Sequence, residues 1–204
     1  MGKKTLLITK TKNYIKSDTN HNVKLENIKI DNIYIGELLK DININKKLKV
    51  AIDAGNGAAG PIALEAYRKL GHEVIDLYCD VDGNFPNHHP NPSDPKNLKD
   101  LISCVKENDC DIGIAFDGDG DRCLIIDNLG KVLWPDKQMM VYAKDILSTN
   151  KNEKIVYDVK SSKDLANIVK EYEGVPVICR TGHSYIKMKM KETSAILGGE
   201  MSGH

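Results

Sequence analysis

From Leu48 onward, short runs rich in β-branched residues alternate with segments of helical periodicity. This alternation is typical of parallel strands joined by crossover helices. The predicted strands are 48–53, 74–78, 111–116, 123–126, 155–159, 175–179 and 195–199. The predicted helices are 58–70, one that begins near Asp94-Pro95, 135–147, one from Ser161-Ser162 to Tyr172, and one after Thr181. We therefore predict an α/β fold of successive βαβ units with mixed, mainly parallel sheets.

The pattern divides the chain into three parts. Residues 1–29 are polar, rich in lysine and weakly periodic, which predicts a partly mobile segment. A turn at Asp127-Asn128-Leu129-Gly130 separates two βα series, so we place one α/β domain at 30–131 and a second at 132–204. The second series stops before its unit is complete. The two series suggest a repeat of architecture, although no repeat with matching residues is evident.

The composition is that of a globular protein of one or two domains, with 41% hydrophobic and 28% charged residues in 204. Lysine plus arginine equals aspartate plus glutamate at 29 each, so no net field recruits nucleic acid or an anionic membrane. Leu6-Leu7-Ile8 is too short for a signal-peptide core, and no apolar stretch is long enough to span a bilayer. We expect a cytoplasmic protein.

The cysteine pattern offers no metal site or disulfide framework. The five residues form no CxxC pair and no compact histidine cluster accompanies them. We expect buried free thiols in a reducing compartment. The residues are Cys79, Cys104, Cys110, Cys123 and Cys179.

The acidic loop Asp117-Gly118-Asp119-Gly120-Asp121-Arg122 places carboxylates at every second position. In an extended loop alternate side chains share one face, so the three aspartates can converge while the glycines let the backbone bend. Clustered carboxylates repel one another unless a cation or protons compensate them. A ligand set made only of oxygens favours Mg²⁺, Mn²⁺ or Ca²⁺ over zinc, and Mg²⁺ is commonly shared with a substrate phosphate.

Two other interpretations of the loop are weaker. An EF-hand needs glycine at loop position 6 and glutamate at position 12, where this chain has Arg122 and Asn128. A polar surface turn without a ligand uses the same residue types. The apolar runs on both sides of the loop argue against that interpretation, because they predict buried strands that lead into and out of it.

The sequence Gly55-Asn56-Gly57-Ala58-Ala59-Gly60 matches the dinucleotide fingerprint between a predicted strand and helix, with Asp76 about 20 residues further on. The same glycines serve any tight turn between a strand and a helix, and Asp76 lies within a predicted strand. A nicotinamide-binding domain is therefore the less favoured alternative.

A second group of polar residues lies near the end of the chain. Thr181-Gly182-His183-Ser184 precedes a lysine-rich helix, and a helix N-terminus beside a histidine can attract an anion. Gly199-Glu200-Met201-Ser202-Gly203-His204 places a carboxylate, a hydroxyl and an imidazole at alternating positions. Donors and acceptors in that array suit the hydroxyls of a sugar.

Together these motifs closely resemble the α-D-phosphohexomutase superfamily, specifically the bacterial phosphomannomutase/phosphoglucomutase group. Further matches are Asp82-Gly83-Asn84-Phe85-Pro86-Asn87-His88-His89-Pro90 and Asp158-Val159-Lys160, so the resemblance extends from about residue 30 to the end. It implies an enzyme of four domains that moves phosphate between the 1 and 6 positions of a hexose through a phosphoserine and a bisphosphate intermediate. The chain would cover the end of domain 1, domain 2 and part of domain 3.

The resemblance also implies roles for single residues. Asp117, Asp119 and Asp121 would hold Mg²⁺, and Arg122 and Lys160 would lie near the transferring phosphoryl group. Glu200 and Ser202 would bind sugar hydroxyls. His183 and His204 would line the same site, with His204 or Lys160 in proton transfer. The partners would be mannose or glucose phosphates and their bisphosphate.

One part of the family pattern is missing from this sequence. Family members carry the phosphoserine in a Ser-His-Asn-Pro loop, and the nearest string, Asn20-His21-Asn22-Val23, lacks both the serine and the proline. We therefore expect a fragment without mutase activity of its own. The alternatives are a subunit of a split enzyme that needs a complementing chain, and a binding module for metal or sugar phosphate without catalysis.

Overall fold

A computed structural model describes residues 30–204, so the prediction of a mobile segment at 1–29 lies outside the described residues. The helices are α1 (Asp31–Leu39), α2 (Gly60–Lys69), α3 (Lys99–Glu107), α4 (Pro135–Thr149), α5 (Lys163–Glu171) and α6 (His183–Thr193), with a 3₁₀ turn at Pro95–Leu98 before α3. The strands are β1 (Lys49–Asp53), β2 (Glu73–Leu77), β3 (Ile112–Phe116), β4 (Cys123–Asp127), β5 (Val132–Leu133), β6 (Lys154–Asp158), β7 (Val175–Cys179) and β8 (Leu197–Gly199).

The first sheet has the strand order β2-β1-β3-β4-β5 within the described residues. β2, β1 and β3 are parallel, whereas β4 and β5 continue the sheet as an antiparallel meander. Alternate residues of β1 face opposite layers, so that Ala51 packs with α3 while Val50 and Ile52 pack with Ala63 of α2. The prediction of an α/β fold with mixed, mainly parallel sheets is confirmed.

The second sheet has the order β7-β6-β8, and its pairs are parallel. Ile155 and Tyr157 of β6 pack with Leu147 of α4 and with Leu165 and Val169 of α5. α6 lies against β6 and β8. Because β6 is central and parallel to its neighbours, the loops that follow all three strands leave the sheet at one edge.

β1 and β6, each of which lies between two parallel neighbours, match each other in sequence and burial. Lys-Val-Ala-Ile-Asp and Lys-Ile-Val-Tyr-Asp each begin with a partly buried lysine and continue with four buried residues, of which the last is an aspartate. A repeat with matching residues is therefore present, although it is confined to the two strands that occupy equivalent positions.

Three of the differences from the sequence prediction have local reasons. β2 ends at Leu77 because Tyr78 has a positive φ of 53°, which a strand does not accommodate. α2 begins at Gly60, since Ala58 and Ala59 belong to the preceding turn. β5 pairs with β4, so the first sheet extends to Leu133, two residues beyond the domain boundary predicted from the sequence.

Two further expectations concern membranes and thiols. Residues 30–204 contain no helix with the length and apolar character needed to cross a bilayer. All five cysteines lie in this part of the chain and are free, but only Cys79 and Cys110 are buried. Burial raises the pKa of the Cys79 and Cys123 thiols to about 11, which keeps them protonated near neutral pH.

Candidate active site

The acidic loop is the tip of a β-hairpin, because Phe116 of β3 pairs with Cys123 of β4 in antiparallel register. The loop reverses direction at Gly120, whose φ is 74° and whose N–H donates to the Asp117 carbonyl at 3.1 Å. The carboxylates therefore converge through this chain reversal, and the extended conformation assumed from the sequence is wrong. One oxygen from each of Asp117, Asp119 and Asp121 lies within 4.8 Å of the others.

The loop rests on the turn between β1 and α2, where the predicted dinucleotide fingerprint lies. The Ala58 N–H donates to the Gly118 carbonyl at 3.0 Å. A Cβ on Gly57 would lie 2.8 Å from the same carbonyl oxygen, and one on Gly60 would lie 2.2 Å from the Cys79 carbonyl oxygen. Close packing of backbone on backbone thus accounts for these glycines without a bound dinucleotide.

Asp117 is the buried member of the cluster and is held by Arg122. Its carboxylate accepts from the Arg122 backbone N–H at 3.0 Å and from the Arg122 Nε–H at 2.7 Å. Burial by itself would raise the pKa of Asp117, but the hydrogen bonds from Arg122 outweigh it and hold the pKa below its ordinary value. Asp117 is therefore a carboxylate at neutral pH.

Replacing Asp117 by asparagine is expected to lower the free energy of unfolding of the metal-free chain by about 1–3 kcal/mol at pH 7, because a buried donor loses its charged acceptor. Because the pKa of Asp117 is lowered in the folded chain, this contribution to stability depends on pH. The stabilisation is complete above the ordinary aspartate range and is lost as the pH falls through the lowered value. Urea unfolding in EDTA at pH 7 and at successive steps below pH 4 measures it. A difference from wild type that does not shrink in acid would contradict this account.

Asp119 differs from its neighbours because it is exposed and forms no hydrogen bond or ion pair with another described residue. Asp121 is also exposed, but it lies 3.7 Å from Arg122 Nε and 3.1 Å from His204 Nε2. The cluster thus has three carboxylates and, in Arg122, one permanent counter-charge. A set of carboxylate oxygens with this excess of negative charge fits a hard divalent cation.

His204 joins the acidic loop to the second sheet. Its Nε2 contacts Asp121 Oδ2 at 3.1 Å, while its Nδ1 contacts Ser202 Oγ at 3.0 Å. The Ser202 hydroxyl donates to Glu200 Oε2 at 2.9 Å. A continuous chain of polar groups therefore extends from the acidic loop to a buried glutamate after β8.

Glu200 also binds the start of α6, because its Oε1 accepts from the Gly182 backbone N–H. The ring of His183, the next residue, stacks on that of His204 with 5.7 Å between centroids and 29° between planes. A cavity of about 350 Å³ lies among these groups, lined by Asp121, His183, Glu200 and His204. Its volume is at the lower end of the range of small-molecule sites, which is about 300–1,000 Å³.

The structure thus brings together eight of the nine residues singled out from the sequence. These are Asp117, Asp119, Asp121, Arg122, His183, Glu200, Ser202 and His204. Lys160 is the exception. It is exposed in the loop after β6 and makes no hydrogen bond or ion pair with any residue in the described part of the chain.

Three residues of the site were given no role in the sequence analysis, although Asp158 lies in a motif that matches the family. Asp158 is buried and accepts hydrogen bonds from the loops around it. Asp53 is buried at the matching position of β1, where it accepts from the Gly55 N–H and contacts His88 Nε2 at 3.0 Å. Asn91 accepts from Arg122 Nη1 at 3.3 Å. For Asp53 and Asp158 the available signal was an aspartate at the end of an apolar strand, which Asp117 after β3 and Asp127 in β4 share, so the signal did not single them out.

Comparison with known proteins places these motifs in one family. Residues 30–130 match the family model for phosphoglucomutase/phosphomannomutase alpha/beta/alpha domain II, and residues 134–204 match the model for domain III. The chain is 52% identical over 171 residues to the phosphomannomutase/phosphoglucomutase of Pseudomonas aeruginosa. This match covers 84% of this chain and 37% of that protein. It is 45% identical over 199 residues to the phosphoglucomutase of Neisseria meningitidis, covering 98% of this chain and 43% of the relative.

A solved structure agrees with these matches. The phosphoglucomutase/phosphomannomutase family protein of Burkholderia thailandensis superimposes with a TM-score of 0.84 and 46% identity, over 88% of this chain and 39% of the other. The chain belongs to the α-D-phosphohexomutase superfamily and covers the region of domains II and III. It spans about two fifths of the length of the relatives it matches.

Proposed function

We propose that this chain carries the metal-binding and sugar-binding parts of a phosphohexomutase that acts on mannose or glucose phosphates. The observation that carries the proposal is the chain of contacts from Asp121 through His204 and Ser202 to Glu200. These contacts support the proposal, because Glu200 and Ser202, whose groups suit sugar hydroxyls, are linked through His204 to Asp121 of the acidic loop. The domains at 30–131 and 132–204 would supply these two halves.

In this proposal Asp117, Asp119 and Asp121 hold Mg²⁺, which when bound would neutralise charge on phosphate oxygens. The Arg122 guanidinium, oriented by Asp117 and Asn91, supplies a fixed positive charge next to the phosphoryl group. Lys160, which has no other partner in the part of the chain that the structure describes, adds a second positive charge on a mobile side chain.

The sugar would lie in the cavity beside α6. Glu200 and Ser202 bind its hydroxyls, and His183 packs against it. His204 is positioned for proton transfer, because one ring nitrogen contacts the sugar-binding hydroxyl of Ser202 while the other contacts Asp121. Lys160 is the second candidate for that step. The same groups would serve the 1-phosphate and the 6-phosphate, since hydroxyl recognition does not require one orientation of the ring.

The chain alone is expected to have no mutase activity, because its sequence contains no Ser-His-Asn-Pro loop and phosphoryl transfer needs every part in position. The rate at which glucose 1-phosphate is converted to glucose 6-phosphate, with Mg²⁺ and glucose 1,6-bisphosphate present, should equal the rate measured without protein. A rate above that blank would contradict the expectation.

Complementation tests the proposed function itself. A separately produced polypeptide that carries the Ser-His-Asn-Pro domain and the C-terminal domain of a relative should restore activity with the wild-type chain, but not with Asp119→Ala. If the mixture binds glucose 6-phosphate without converting it, the chain is a binding module and the catalytic proposal is wrong. A mixture that neither binds nor converts the sugar phosphate would reject both.

A further inference from the structure

Asp158 lies where the three loops of the second sheet leave it. It is the last residue of the central strand β6 and is fully buried. β7 and β8 pair with β6 in parallel, so the residues that follow each strand emerge at the same edge. An aspartate at this point can reach all three loops.

The carboxylate binds one donor from each of these loops. Its Oδ1 accepts from the Ser161 hydroxyl at 2.8 Å, in the loop after β6, and from the Met201 backbone N–H at 3.2 Å, after β8. Its Oδ2 accepts from the Thr181 hydroxyl at 2.9 Å, after β7. No lysine, arginine or histidine among residues 30–204 forms an ion pair with it, so these three hydrogen bonds are what compensates its burial.

Each donor is next to, or two residues from, a residue of the candidate site. Ser161 follows Lys160, and Thr181 precedes His183 by two positions. Met201 lies between Glu200 and Ser202. A single buried carboxylate is therefore bonded beside four of the five site residues that the second sheet provides, and the fifth, His204, is bonded to Ser202.

We propose that Asp158 is a positioning residue that fixes the sugar-binding half of the site without contacting substrate. The inference rests on the proposed function for the identity of the ligand. Asp53 holds the equivalent position in β1 and binds Gly55 and His88, so it belongs to the metal-binding half. The two aspartates provide a matched pair: equal in strand position and burial, but different in the loops they hold.

The test uses the full 204-residue chain labelled with ¹⁵N, in Mg²⁺, with the variants Asp158→Ala, Asp158→Asn and Asp53→Ala. Asp158→Ala removes all three acceptors and is expected to weaken glucose 6-phosphate binding at least 10-fold and to speed exchange of the Met201 amide at least 10-fold. The Val156 amide, inside β6, should keep its protection. Asp158→Asn should retain binding to within about threefold, because its carbonyl accepts from Ser161 and Met201 while its amide donates to the Thr181 hydroxyl.

The controls separate positioning from general stability. Asp53→Ala should leave Met201 exchange unchanged, and Asp158→Ala should bind Mg²⁺ as tightly as wild type. A folded Asp158→Ala that binds glucose 6-phosphate normally and protects Met201 normally overturns the inference. If Asp158→Ala does not fold, Thr181→Val removes one donor, and an unchanged His183 imidazole signal in that variant overturns it. If wild type does not respond to glucose 6-phosphate, the proposed sugar site is wrong and Met201 exchange alone decides the positioning role.

Discussion

Replacing Asp119 by alanine is expected to lower the Mg²⁺ affinity of the chain about 100-fold, and to change its free energy of unfolding without metal by less than about 0.5 kcal/mol. The two effects separate because this carboxylate forms no hydrogen bond or ion pair with the other described residues. Loss of a charged ligand next to a divalent ion removes several kcal/mol of attraction even when solvent screens it, and a 100-fold loss needs only about 2.7 kcal/mol.

Isothermal titration calorimetry with MgCl₂ and urea unfolding in EDTA measure the two quantities. Asp145→Ala is the matched control, because Asp145 is an exposed aspartate of α4 outside the acidic cluster and its loss changes the net charge equally. Its Mg²⁺ affinity should equal that of wild type. Equal heats for Asp119→Ala and Asp145→Ala would show that the acidic loop is not the metal site.

Gly60→Ala is expected to destabilise the chain by about 3 kcal/mol, even though alanine is the better helix former by about 1 kcal/mol. A Cβ at Gly60 would lie 2.2 Å from the Cys79 carbonyl oxygen and 2.8 Å from the carbonyl carbon. Both are backbone atoms, so no side-chain rotation relieves the clash, and α2 must move away from the end of β2. Urea denaturation monitored by circular dichroism measures the loss.

Gly36→Ala is the control for Gly60→Ala, since Gly36 lies within α1 and a Cβ there would meet no described atom within 4 Å. This variant should be as stable as wild type or more stable by about 0.5–1 kcal/mol. Destabilisation of similar size in both variants would mean that helix propensity or the unfolded state, and not the contact with Cys79, determines the outcome.

The fold was predictable from the sequence because apolar runs and helix signals repeat at regular spacing. Seven of the eight described strands were located to within one or two residues, whereas the two-residue β5 and helix α1 were not predicted. The boundaries that failed depend on backbone conformation. Tyr78 looks like a strand residue by composition, and only its positive φ removes it from β2. The antiparallel direction of β4 was equally hidden, since a six-residue loop permits a hairpin without requiring one.

The candidate site was predictable where its residues are contiguous. Asp117 to Arg122 and Glu200 to His204 could be found because alternating polar residues and glycines are visible in the string itself. The role of Asp158 was hidden for the opposite reason, because its partners Ser161, Thr181 and Met201 lie 3, 23 and 43 positions away and meet only when the sheet forms. A buried aspartate at a strand end has no sequence pattern of its own, since Asp127 ends β4 in the same way without being buried.

The hairpin that carries the acidic loop has a consequence for how the chain assembles. Its closing pair is Phe116 with Cys123, whereas the last pair of β6 with β8 joins Tyr157 to Gly199 across a segment that is more than six times as long and contains α5, β7 and α6. Each doubling of the closed segment costs about 0.6 kcal/mol of chain entropy, so closing the acidic hairpin costs at least 1 kcal/mol less, roughly, than closing the pair of β6 with β8. The three carboxylates of the acidic loop are thus brought together by one local hairpin, whereas Glu200 and His204 meet His183 only after β7 and β8 have both paired with β6.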